Sequence, residues 1–165
     1  VNPGTGSDEH RFFDEKEWDM KKILIAYDSK TGRTQKMAES IAQGVRQAGV
    51  EAVVRRIGEI GNEKELEGFA GYIFGCPTYF KTITQEMKQF LFMAQKADLA
   101  EKTGGSFGSY THIGNGPKIT HDTMEFVFGM KMADLGAFNV KEQILDSGKG
   151  EAPCRAYGKA FGEKV

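Results

Sequence analysis

Residues 27–40 read YDSKTGRTQKMAES. Immediately before their polar part, Ile23, Leu24, Ile25, Ala26 and Tyr27 make an uncharged, apolar run that predicts a buried strand over 21–28. Within and beyond them, Met37, Ile41 and Val45 recur four apart, with Ala38 and Ala48 alongside, which predicts a helix over 34–48 ended by Gly49. Between strand and helix stand Ser29, Thr31, Gly32 and Thr34. A helix start leaves backbone N–H groups unpaired, and its dipole favours an anion there. Plain capping uses about one hydroxyl, not three. The turn therefore predicts a phosphate site, with Gly32 letting the backbone approach closely and Lys30 and Arg33 flanking it.

The motif is neither a P-loop, since the Lys-Ser/Thr pair and its spacing are missing, nor the dinucleotide GxGxxG. A phospho-accepting receiver domain would need an aspartate where the third strand ends in Cys76.

Further along, strands are expected at Glu51 to Ile57, at 71–75 (GYIFG), at 104–110 (GGSFGSY) and at Val140 to Leu145. Helices are expected at 62–68, 83–96, 119–135 and 153–162, the last opened by Pro153. Met87, Phe90, Leu91 and Ala94 share one face of the second of these. Met124, Val127, Phe128 and Leu135 are expected to point inward from the third. Strands alternating with helices predict an α/β fold: three layers, with a doubly wound five-stranded parallel sheet covered on both faces. Such sheets bind ligands beyond the carboxyl ends of their strands.

Two more loops leave that edge. Cys76-Pro77-Thr78-Tyr79-Phe80-Lys81 offers a stiff exit and two adjacent aromatics, whose flat faces suit a flat ligand; one of the pair is expected to fold back onto the core. Ser109-Tyr110-Thr111-His112-Ile113-Gly114-Asn115-Gly116 offers another ring in Tyr110 and small residues that let backbone amides face a ligand. His112 reads first as an exposed loop histidine and second as a group at the ligand's reactive end. Together the loops describe a site for a molecule with a terminal phosphate and a planar polar ring.

Composition restricts the classes. The chain has 165 residues, 39% hydrophobic and 27% charged, with a formal net charge of −1 and no basic block, which argues against nucleic-acid binding. No apolar run is long enough for a membrane span, and the start lacks the apolar core of a secretory signal, so a cytoplasmic setting is expected. Cys76 and Cys154 lack metal-like spacing; Cys76 reads as a small buried hydrophobe and Cys154 as a surface or helix-start thiol. Residues 1–19 read as a tag, linker or extension, whose Phe12, Phe13 and Trp18 could dock on a 20–165 domain.

On these residues the chain resembles the flavodoxin-like superfamily. SKTGRT (29–34) matches its phosphate loop, [Ser/Thr]-x-Thr-Gly-x-Thr, and GCPTYF (75–80) and GSYTHIGNG (108–116) stand where that superfamily holds the flavin ring. The resemblance covers roughly residues 20–163. It implies strand order 2-1-3-4-5 and FMN as cofactor, with Ser29, Thr31, Gly32 and Thr34 on the phosphate and the later loops around the isoalloxazine. GCPTYFKTITQEMKQFL resembles the tryptophan-repressor-binding-protein type of quinone reductase, although Lys81-Thr82 stands in place of that family's usual Gly-Asn. GGSFGSY is more similar to the flavodoxin domain of A-type flavoproteins, where a diiron domain precedes it.

The implied function is electron transfer by one- or two-electron cycling at FMN, with a redox partner protein. The 77–81 backbone would meet the N5 edge of the ring, and the 109–116 loop its pyrimidine edge. The alternative is an FMN-dependent NAD(P)H:quinone-type oxidoreductase, whose members often assemble into oligomers; a domain that has lost FMN is a third, non-redox reading. Neither 75–85 nor 105–117 contains an acid, while Lys81 and His112 lie within them. Reduced flavin carries negative charge, which acids disfavour. Spectroelectrochemical titration should therefore give a final potential less negative than that of a flavin ringed by acids.

Overall fold

A computed structural model describes residues 20–165. The expected docking of Phe12, Phe13 and Trp18 lies outside the described residues. Five strands, β1 (Lys22–Tyr27), β2 (Glu51–Arg56), β3 (Gly71–Gly75), β4 (Thr103–Tyr110) and β5 (Lys131–Lys141), form one sheet in the order β2-β1-β3-β4-β5. Every pairing is parallel. β1 is an interior strand, with Ile25 registered against Val54 on one side and Ile73 on the other.

The apolar run of β1 serves two cores at once, because successive side chains point to opposite faces. Leu24 and Ala26 join Tyr72, Phe74, Met87, Phe90, Met124 and Phe128 on one face. Ile23, Ile25 and Tyr27 join Met37, Ile41, Val45, Tyr157 and Phe161 on the other. The first face is covered by α2 (Gln85–Ala94) and α3 (Gly116–Asp122), the second by α1 (Arg33–Gln47) and, beyond the short α4 (Glu142–Asp146), by α5 (Glu151–Gly162).

Several boundaries differ from expectation. The helix expected over 119–135 is α3 followed by a π-helical turn, Thr123–Val127. Gly129, at φ 69°, then turns the chain into β5 at Lys131, so Leu135 packs from a strand. That strand stops at Lys141, and the expected strand residues Glu142 to Leu145 lie instead in α4, which has no buried residue. β5 is an edge strand with an irregular register opposite Gly104 and Ser106, and such a strand lacks the clean alternation that marks a central one. The 62–68 helix is a 3₁₀ turn, Glu63–Leu66, closed by an Asn62/Glu65 capping box. Pro153 sits inside the first turn of α5, where its missing N–H costs nothing.

Cys76 is buried, as expected. Cys154 is buried too, contrary to a surface position, because the first turn of α5 turns it toward α1. Burial pushes each thiol up to about 12, so neither is a thiolate near neutral pH.

α1 and α5 touch backbone to backbone. A Cβ on Gly44 would overlap the Arg155 carbonyl, and one on Gly158 would overlap the Ile41 carbonyl. Gly158→Ala should therefore destabilise the fold by about 2 kcal/mol or more, the overpacking cost at a site that cannot yield. Urea unfolding checks this, with Ala160→Gly on the same helix expected to cost only about 1 kcal/mol.

Candidate functional site

All three expected loops emerge at the carboxyl edge and are tied together. The Thr34 hydroxyl lies 3.0 Å from the Ser109 hydroxyl, both buried, which joins the first loop to the third. Thr78 N–H donates to the Ser109 carbonyl (3.0 Å), and Gly116 N–H donates to Thr78 Oγ1 (2.9 Å), which joins the second to the third. Asn115 Nδ2 reaches the Lys81 carbonyl at 3.4 Å. The Gly116 amide is thus spent on Thr78 rather than turned outward to a ligand.

The first loop is built around Ser29. Its buried Oγ accepts from Gly32 N–H (3.1 Å) and more distantly from Gln35 N–H (3.4 Å). Gly32 takes φ 88°, the left-handed region that favours glycine, and a Cβ there would meet nothing within 4 Å, so the requirement is conformational. The turn aims the start of α1 across the edge. Among the described residues the N–H groups of Thr31, Arg33 and Thr34 have no acceptor, and these are the donors an anion would take.

The two cations within the loop are engaged elsewhere, and a third, Arg56, donates to the Ser29 carbonyl (3.2 Å). Lys30 lies 2.6 Å from Glu86 and 3.9 Å from Asp28. The pairing with Lys30 holds the Glu86 carboxyl below its usual range, and the same contact raises Lys30. Arg33 grips Asp146 with two parallel bonds, Nε to Oδ1 at 2.9 Å and Nη2 to Oδ2 at 3.0 Å. Its Nη1 donates to Thr31 Oγ1 (3.2 Å) and faces Glu142 at 3.6 Å. Glu142 in turn accepts from Thr111 Oγ1 (3.0 Å). Asp146 is held below the usual aspartate range by the Arg33 bond.

The second and third loops enclose a cleft of about 280 Å³ between residues 78–81 and 111–113. Pro77 is buried beneath it, and Thr78, Tyr79 and Tyr110 are half-buried. Neither aromatic of the pair joins a core: Tyr79 stays half-buried, and Phe80 is 100% exposed. Burial, then the Glu142 charge, raises the Tyr79 phenol. Lys81, Thr111 and His112 are exposed at the rim, and Gly114 is held by Asn139, whose Nδ2 donates to its carbonyl at 2.5 Å. A larger cavity of about 430 Å³ lies on the far side of Lys30, between the end of β2 and α2.

Sequence reading missed Asp28, Glu86, Asn139, Glu142 and Asp146. Asp28 was visible at the end of β1; buried, it accepts from Thr84 Oγ1 at 2.6 Å and anchors the start of α2 to the first loop. Glu142 and Asp146, four apart, had a helical spacing that the strand expectation obscured.

Comparison with known proteins bears on the family and the fold. A family model for the flavodoxin domain matches residues 24–127. The chain is 35% identical over 99 residues to a flavodoxin of Clostridium saccharobutylicum, covering 59% of this chain and 61% of that one. It is 28% identical over 114 residues to an NAD(P)H dehydrogenase (quinone) of Archaeoglobus fulgidus, covering 54% and 60%. The chain thus spans about three fifths of the length of these relatives. The solved structure of a flavodoxin from the domain Archaea superposes with TM-score 0.79 at 25% identity, over 87% of this chain and 97% of that one. A three-layer parallel α/β fold with its ligand loops at the carboxyl edge defines the class. The chain belongs to the flavodoxin domain family. Membership implies a flavin site, and the open N–H groups at the start of α1 suit a flavin's phosphate. Among the described residues no helix is long and apolar enough to cross a membrane.

The second loop turns on two non-glycine residues in the left-handed region, Phe80 at φ 49° and Lys81 at φ 64°, closed by reciprocal Tyr79–Thr82 backbone bonds of 3.0 and 2.9 Å. Left-handed backbone costs about 1–2 kcal/mol for an L-residue. Lys81→Gly should stabilise the protein by about 1 kcal/mol, read as a higher urea midpoint with unchanged slope.

Proposed function

We propose that residues 20–165 bind FMN at this edge and act as a flavodoxin-type electron carrier. The reading is carried by the cradle at the start of α1: three unaccepted N–H groups beside the hydroxyls of Ser29, Thr31 and Thr34, next to a cleft between two ring-bearing loops. When bound, FMN supplies chemistry in steps of one or two electrons.

The chain's own residues bind and orient. Ser29, Thr31, Gly32 and Thr34 hold the phosphate through neutral donors. Pro77, Thr78 and Ser109 fix the two ring loops against each other, and Tyr79 and Tyr110 offer half-buried ring faces. No side chain acts as a catalytic acid or base: His112 and Lys81 stand at the rim, and both cysteines are buried thiols.

A second reading is an FMN-dependent NAD(P)H:quinone-type reductase. The exposed Phe80 and Ile113 favour it, since they give the cleft an apolar rim suited to a quinone as well as to a partner protein.

The visible spectrum of FMN-loaded protein, taken anaerobically before and after NADPH or NADH, separates the two. A flavin band that survives pyridine nucleotide and bleaches with dithionite is the expected result. Rapid bleaching by NADPH or NADH would move the assignment to the reductase. Protein that stays colourless with added FMN would overturn both.

A further inference from the structure

The same edge carries a device that phosphate binding itself does not require. Arg33 sits in the loop 29–34, with Nη1 3.2 Å from the Thr31 hydroxyl, so its charge lies at the rim of the cradle. Its guanidinium is nonetheless turned away, toward α4: both outer bonds go to Asp146, and Glu142 faces the remaining nitrogen. These acids come from 109 and 113 positions along the chain, numbered 142 and 146 against 33, and neither contacts the hydroxyls of Ser29 or Thr34. Glu142 also accepts from Thr111, so one side-chain chain runs from the first loop through α4 to the third. On the other flank, Lys30 is likewise held by Glu86 and Asp28. Lys30 and Arg33 are thus paired with four carboxylates, while Arg56, which carries no such pair among the described residues, donates to the Ser29 carbonyl (3.2 Å) on the inner side of the loop.

We infer that Asp146 and Glu142 are positioning residues that hold Arg33 out of the cradle and set how strongly the site takes a phosphate. The inference rests on the reading that the phosphate of FMN lies in loop 29–34. With the clasp intact, the phosphate meets neutral donors, and the Arg33 charge beside it is already paired with two carboxylates. Its recognition then comes from geometry and gains little from ionic attraction. Opening the clasp releases a full positive charge, already within one hydrogen bond of Thr31, toward the phosphate dianion.

The test compares FMN with riboflavin, which lacks the phosphate, by quenching of flavin fluorescence in wild type, Asp146→Asn, Glu142→Gln and Asp146→Glu. At low salt Asp146→Asn should bind FMN about fivefold more tightly than wild type, from one unscreened charge near a dianion. That gain should vanish at about 0.5 M salt, where the screening length is only about 4 Å. Glu142→Gln should shift FMN in the same direction, riboflavin should bind all four proteins alike within about twofold, and Asp146→Glu should keep the wild-type salt response. A purely structural role would move FMN and riboflavin together, and that result would overturn the inference. So would FMN affinity unchanged or weakened by Asp146→Asn in protein with wild-type circular dichroism. Wild type that binds riboflavin and FMN equally would remove the phosphate reading itself, and with it this inference.

Discussion

β1 is hydrogen-bonded along both edges, to β2 and to β3, and buried on both faces. A strand so enclosed can release its chain only past its last paired residue, Tyr27. The exit then has to turn within a few residues into a helix that covers one face. Gly32 makes that turn in the left-handed region, and Ser29 braces it from inside. The N–H groups left over at the start of α1 follow from this path. Among the described residues none of them has an acceptor.

The other two loops depend on the same geometry. β3 ends beside β1 and β4 beside β3, so Thr78 and Ser109 come within bonding distance of each other and, through Thr34, of the first loop. Buried hydroxyl contacts of this kind are directional and fix relative position more than they add stability. The ring loops are buried at the base, at Pro77, Ser109 and Gly116, and exposed at the tip, at Phe80 and His112. On the proposed reading, a redox cofactor held here would keep its phosphate end inside and one ring edge accessible to a partner.

The electrostatics are less local. The loops contain no acid of their own, yet the folded edge places Glu142 and Asp146 on Arg33, and Glu86 and Asp28 on Lys30. Apart from buried Asp28 these groups are partly exposed, where ion pairs contribute little to stability. Their consequence is for the charge that an incoming anion meets.

Periodicity alone was enough for the α/β class, for the central strands and for the hydroxyl turn between β1 and α1. Each of those signals is written in neighbouring residues: an apolar run, a four-residue spacing, a glycine among hydroxyls. The edge strand was misread because β5 is half exposed and bulged, so its pattern blurs into that of the preceding helix. The Gly44 and Gly158 contact and the Arg33 clasp could not be read at all. Each joins residues more than one hundred positions apart, and such pairs are chosen by how the layers pack, not by any local preference of the chain. The residue types at the hydroxyl turn were there to be read along the chain. Which cations stay free to act on a phosphate was settled only when α4 folded back against the first loop.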